Sequence, residues 1–264
     1  MISLEAKNIN VCYGKKTIIK NLDFKVQKGD IVTIVGPNGS GKSTLIKALS
    51  RLIKITSGDV ELYGKDIYKF NTKKIAQEMA ILPQIRNINT DLTVENLVSY
   101  GRQPHLKFGK RIGKDDEKIV EWAMKKTRIY NLKDRCVSTL SGGERQRAWI
   151  SMALAQKPSI LILDEPTTFL DISYQLEVLE IVKELNKSLN ITVIMVLHDL
   201  NQAIRYSDNI YVLKQGEVCN FGKPNKVMTL SLIKEVFSID ANIYQDEINN
   251  CPYIIPQRLC DLDT

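Results

Sequence analysis

From Ile18 to Val26 apolar residues alternate, with Ile18, Leu22, Phe24 and Val26 on one parity. That alternation predicts a strand with one face exposed. Ile31-Val32-Thr33-Ile34-Val35 is apolar on both parities and predicts a buried central strand. A glycine-rich turn follows. Apolar residues at Leu45, Ile46, Leu49, Leu52 and Ile53 then repeat at helical spacing, predicting a helix over 44–53. Strand, glycine loop and helix together open a parallel α/β unit. The pattern returns later: Ile160 to Leu163 reads as a buried strand, Tyr174 to Leu189 as a helix, and Ile191 to Leu197 as another buried strand. Between them the chain reads as mostly helical, over Val94 to Tyr100, Asp115 to Ile129 and Glu144 to Ala155. A helical block set into an α/β core is the simplest organisation. A short helix from Leu230 to Val236 follows, and the tail carrying Pro252 and Pro256 reads as irregular. No internal repeat or low-complexity linker is evident.

The composition of the 264 residues, 44% hydrophobic and 25% charged, is ordinary for a globular protein with a sizeable core. The apolar runs are too short to cross a bilayer, so a membrane channel would have to come from other proteins. The first residues, Met1 to Lys7, lack the charged-then-apolar order of a secretory signal. The formal net charge of +7 favours polyanionic ligands, though an excess this modest also fits a solvated lysine-rich surface. Lys107, Lys110, Arg111 and Lys114 read as an exposed basic loop. The five cysteines are scattered and contain no C-x-x-C pair, which argues for reduced thiols over a metal site or disulfide framework.

The glycine turn supplies the first chemistry. Gly36-Pro37-Asn38-Gly39-Ser40-Gly41-Lys42-Ser43 fits G-x-x-x-x-G-K-[ST] at every fixed position, between the strand and the helix that the motif requires. In such a loop the backbone N–H groups turn inward around phosphates and the next helix points its N-terminus at the anion. Lys42 would neutralise phosphate oxygens, and the Ser43 hydroxyl would ligate Mg²⁺. Asp164 and Glu165 end a buried strand, at the edge where open α/β sheets bind ligands. Asp164 fits a carboxylate supporting Mg²⁺, and Glu165 is placed to polarise an attacking water. His198 follows the strand ending at Leu197 and reaches the same edge; it would bridge the γ-phosphate, the water and the base. Its blander reading is the start of the next helix, together with Asp199.

With three further motifs, these residues resemble the ABC ATPase family over essentially the whole chain. Leu140-Ser141-Gly142-Gly143-Glu144, followed by Arg145-Gln146-Arg147, is similar to the family signature, a second anion cradle opening a helix. Pro83-Gln84 resembles the Q-loop and Pro166-Thr167-Thr168-Phe169-Leu170-Asp171 the D-loop, while Tyr13 matches the aromatic that stacks on adenine. The resemblance implies a P-loop NTPase (RecA-like) α/β core with an antiparallel β subdomain and an inserted helical subdomain. It implies a single domain over 1–264: core 1–86 and 158–225, helical subdomain 87–157, and C-terminal extension 226–264. ATP would be bound by Tyr13, Gly36 to Thr44, Ser141 to Glu144 and Asp171. Mg²⁺ would be held by Ser43, Gln84 and Asp164, with Lys42, Gln84, Glu165 and His198 catalytic. No position departs from the catalytic pattern. The resemblance further implies a homodimer sandwiching two ATPs, integral-membrane permease subunits docked near residues 85 to 110, and an extracytoplasmic substrate-binding protein. The complex would sit on the cytoplasmic face of the membrane, with no nucleic-acid partner.

Three stretches resemble the importers of iron chelates, haem and cobalamin: Asp91 to His105, with its Gly101-Arg102-Gln103-Pro104-His105; Pro166 to Val178; and the tail around Cys251 to Pro256. Iron–siderophore import is the favoured cargo reading. Another transporter cargo, or a soluble ABC ATPase outside transport, stands as the alternative. The coiled coil of DNA-repair members and the second phosphate loop of translation members are both absent, as is the Asn-Lys-x-Asp motif of GTPases. His105 has no nearby partner ligand for a metal.

Overall fold

A computed structural model describes residues 1–84, 91–107 and 111–260. Lys110, part of the docking segment expected near 85 to 110, and the boundary expected at 86/87 lie outside the described residues. By packing the chain divides into two units, Met1–Ile67 with Ile194–Thr264, and Tyr68–Val193.

The first unit begins with β1 (Ile2–Tyr13), β2 (Lys16–Gln27), β3 (Ile31–Val35), α1 (Lys42–Leu49), β4 (Ser57–Leu62) and β5 (Lys65–Asp66). An antiparallel sheet in the order β2-β1-β4-β5 buries Leu4, Ala6, Ile9, Val11, Leu22, Phe24 and Val26 on its inner face. The alternation read over 18–26 is thus one stretch of β2. Helix α1 stops at Leu49, short of the expected Ile53, and Leu52 is exposed. Ser50 turns its hydroxyl back to the Ile46 carbonyl at 2.7 Å and Arg51 adopts φ +58°, so the local side-chain bond displaces the next helical turn.

The second unit contains α2 (Thr72–Glu78), β6 (Met79–Leu82), α3 (Val94–Ser99), α4 (Lys114–Lys126), α5 (Gly142–Ala155), β7 (Ile160–Asp164) and α6 (Ile172–Leu189). The three middle helices bury Val94, Leu97, Val98, Val120, Ala123, Met124, Ala148 and Ile150. Strands β6 and β7 run parallel, with Met79 opposite Ile160 and Leu82 opposite Leu163. Gly101 packs against the Met152 carbonyl so closely that a Cβ there would lie 2.1 Å from its oxygen. Arg102 then donates to the Ala155 carbonyl at 2.7 Å, and the His105 ring Nε2 sits 2.8 Å from the Gln156 carbonyl. The Gly101–His105 segment therefore closes the C-terminus of α5, where helix carbonyls lack internal partners.

The chain returns through β8 (Thr192–Val196), α7 (Leu200–Tyr206), β9 (Asn209–Lys214), β10 (Glu217–Gly222), α8 (Pro224–Val227), α9 (Leu230–Phe237), β11 (Ile239–Asp246) and β12 (Cys251–Leu259). In the first unit β3 lies parallel to β9, and the Leu197 N–H donates to the Ile34 carbonyl just beyond β8. The tail read as irregular is a β-hairpin of β11 and β12. Prolines are tolerated because both strands are edges. Pro252 and Pro256 share the parity of Ile254, whose N–H points away from β11 to Asn201, so their missing N–H groups cost the ladder nothing.

Candidate functional site

Five buried residues of β3 deliver the chain to Gly36. Gly36 has φ +154°, and a Cβ there would lie 2.1 Å from the Leu213 carbonyl oxygen on β9, so only glycine fits. The loop is tied down from outside. Ser40 O accepts from the Gly216 N–H at 3.0 Å, and Gly216 O accepts from the Lys20 N–H of β2 at 3.0 Å. Lys42 is 6% exposed, and its Nζ donates to the carbonyls of Gly36 at 2.8 Å and Pro37 at 3.0 Å, which aims its charge into the loop. Gly41 caps α1 without a side-chain hydrogen bond, and Lys42, Ser43 and Thr44 open the helix. The Ser40 hydroxyl is buried in the loop and has no hydrogen-bond partner among the described residues. A buried hydroxyl without a partner, next to a buried cation and a helix N-terminus, fits a polyphosphate.

His198 is exposed just past β8, and the Leu197–Ile34 bond sets that strand end beside the one leading into Gly36. Asp199 caps α7, accepting from the Gln202 N–H at 2.9 Å. Asp199 thus starts the helix, as the blander reading had it, and His198 lies just before it at the strand edge. Tyr13 ends β1, half-exposed at the tip of the β1–β2 hairpin.

In the second unit, β7 carries Asp164 to its end, 7% exposed. Because Leu82 pairs with Leu163, the chain past β6 brings Gln84 level with the residue after Asp164. Gln84 Nε2 donates to Glu165 Oε2 at 2.5 Å, and the Thr168 hydroxyl donates to the same oxygen at 3.2 Å. Gln84 and Glu165 were read from sequence; Thr168 was not, although its place three residues on in a tight turn was the available signal. Glu165 itself has φ +54°, an uncommon conformation for a side chain of its size.

Ser141 caps α5. Its hydroxyl accepts from the Glu144 N–H at 3.3 Å, and the Glu144 carboxylate accepts from the Ser141 N–H at 2.8 Å. This capping box holds the Glu144 carboxyl below its ordinary value, chiefly through the Ser141 backbone bond. The Ser141 hydroxyl accepts that bond on one of its two lone pairs, which leaves its O–H able to donate to an outside acceptor. Leu170 packs against Gly142 and the Tyr174 ring against Gly143, while Arg147 pairs with Glu177. The Ser-Gly-Gly helix end is therefore locked to α6, whose cap is the exposed Asp171. Phe169, φ +64°, stands 85% exposed beside it.

A strand–loop–helix with a buried lysine, a strand ending in paired carboxylates, and a second helix opened by Ser-Gly-Gly together define an ATP-binding cassette. The chain belongs to the ABC transporter family, whose model matches residues 19–168. It is 46% identical to the iron(3+)-hydroxamate import ATP-binding protein FhuC of Bacillus subtilis (98% of this chain, 96% of the relative). It is 42% identical to the ferric enterobactin transport ATP-binding protein FepC of Escherichia coli (96% and 93%). Among solved structures, a metal-chelate type ABC transporter in an inward-facing conformation superposes with TM-score 0.85 at 26% identity, covering 97% of each chain. A dimeric cassette bound to ADP and phosphate after hydrolysis superposes with TM-score 0.72 at 29% identity (84% and 98%). The fold is the P-loop NTPase fold expected from the sequence, and the chain is an ATPase. Among the described residues no helix is long and apolar enough to cross a membrane.

Proposed function

We propose that this chain powers the import of an iron chelate, converting ATP hydrolysis into movement of separate permease subunits. The observation that carries the hydrolytic part is the Glu165 carboxylate, held by two donors directly after a buried Asp164. The names of FhuC and FepC support the cargo.

In this reading Lys42 and the backbone N–H groups of Gly36 to Thr44 take the phosphates, and Tyr13 takes the adenine face. Ser43, Asp164 and Gln84 offer the oxygen donors that a hard cation prefers, so the residues present fit Mg²⁺. When bound, Mg²⁺ would neutralise phosphate charge. Glu165 accepts a proton from the attacking water, worth about 10²- to 10⁴-fold in rate for a positioned base, and His198 steadies the γ-phosphate. Ser141, Gly142, Gly143 and Glu144 form a second cradle that would receive the γ-phosphate of ATP held by another copy, and Asp171 would couple the two copies. ATP then closes the pair and hydrolysis reopens it, with core residues 1–86 and 158–225 as the motor and 87–157 as the permease dock. A substrate-binding protein outside the cell completes the system, and this chain works at the cytoplasmic face of the membrane.

Uptake of labelled ferric siderophore, haem and cobalamin in host cells lacking the gene tests the reading. Complementation with wild type, and not with Glu165→Gln, is expected to restore ferric siderophore uptake. Restored uptake of haem or cobalamin alone would move the cargo, and no dependence on the gene for any cargo would remove the import reading.

A further inference from the structure

Glu165 cannot act as a base unless its carboxylate is held in one orientation, and the structure shows how the chain holds it. The segment after β7 makes a tight turn: the Thr168 N–H donates to the Glu165 carbonyl at 3.3 Å. Positive φ angles at Glu165 and Phe169 bracket the turn, a strained conformation for residues with a side chain. Such strain persists only where the surroundings enforce it, and here Pro166 and Thr167 are buried between the two. The turn folds the Thr168 side chain back, so that its hydroxyl donates to Glu165 Oε2 at 3.2 Å.

Gln84 donates to the same oxygen, but it comes from a different segment, after β6, and also offers an oxygen to the cation. Thr168 is the donor that travels with Glu165 on the same rigid turn. A β-branched residue adds to this, since its χ1 is restricted and its hydroxyl therefore has few positions to occupy. We infer that Thr168 is a positioning residue for hydrolysis, orienting the Glu165 carboxylate through one side-chain hydrogen bond while making no contribution to nucleotide affinity. The inference rests on the reading of Glu165 as the base.

The test is steady-state ATP hydrolysis by the full chain as Thr168→Val, Thr168→Ser and Glu165→Gln, with nucleotide affinity measured separately. Valine keeps the shape and removes the donor; serine keeps the donor. The valine variant is expected to lose about ten- to a hundredfold in kcat with KM for ATP within about twofold. Serine is expected to restore kcat to within a few-fold of wild type. Combining Thr168→Val with Glu165→Gln is expected to cost nothing beyond Glu165→Gln alone, because the hydroxyl acts through that carboxylate. Three results would each overturn the role: wild-type kcat in the valine variant, a matching loss of nucleotide affinity, or failure of serine to rescue. A further loss in the double variant would mark Thr168 as merely structural. If the valine variant does not fold, Thr168→Ala is read by the same criteria. Wild-type hydrolysis by Glu165→Gln would instead remove the base itself, a different failure from that of Thr168.

Discussion

Replacing Arg102 by alanine probes what holds the helical unit together. Arg102 is 6% exposed; its guanidinium donates to the Ala155 carbonyl at 2.7 Å and to Asp116 at 2.8 Å. Removing it leaves the Ala155 carbonyl at the end of α5 without its cationic partner and breaks an ion pair. A buried acceptor left unpaired costs about 1–3 kcal/mol, and a hydrogen bond to a charged group contributes about 1.5–3 kcal/mol. Asp116 is 21% exposed on its side chain, so water recovers part of the second loss. The expected net destabilisation is about 3 kcal/mol near neutral pH, read as a lower urea midpoint with an unchanged m-value. Its pH dependence follows from the same contact. Arg102 holds the Asp116 carboxyl below its ordinary value, so the stabilisation is complete above the unfolded-state pKa of about 3.9 and fades as pH falls through the lower folded value. The gap between wild type and variant should therefore narrow only in strong acid. A midpoint shift worth less than about 0.5 kcal/mol, or a gap that does not narrow even in strong acid, would refute the reasoning.

The C-terminal hairpin rests on Asn201, whose side-chain amide donates to the Ile254 carbonyl at 3.0 Å and accepts the Ile254 N–H at 2.8 Å, imitating a neighbouring strand. Asn201→Ala should speed amide exchange across β12 and lower stability by about 2 kcal/mol; unchanged protection at Ile254 would show that the apolar contacts suffice.

Much of this molecule was legible in its sequence because its chemistry is local. The phosphate loop, Asp164–Glu165 and the Ser141–Glu144 box each lie within a few consecutive residues, and periodicity placed their flanking strands and helices within a residue or two, except the C-terminal end of α1, expected at Ile53 and found at Leu49. What stayed hidden depends on contacts between distant segments. The hairpin of β11 and β12 escaped because prolines in strands are readable only once it is known which way their N–H would point. Gly101 to His105 resembled an importer feature, yet its visible work is to cap α5, which required knowing that Ala155 and Gln156 end nearby. Thr168 escaped because a threonine in a turn is common, and only the folded turn shows its hydroxyl on Glu165.

The most direct measurement is ATP turnover and mass by light scattering of the purified chain as wild type, Glu165→Gln and Lys42→Ala, with Mg²⁺ and ATP. The account predicts full hydrolysis by wild type, only residual turnover and an ATP-trapped dimer for Glu165→Gln, and neither tight nucleotide binding nor dimer for Lys42→Ala. Hydrolysis at the wild-type rate by Glu165→Gln would contradict it.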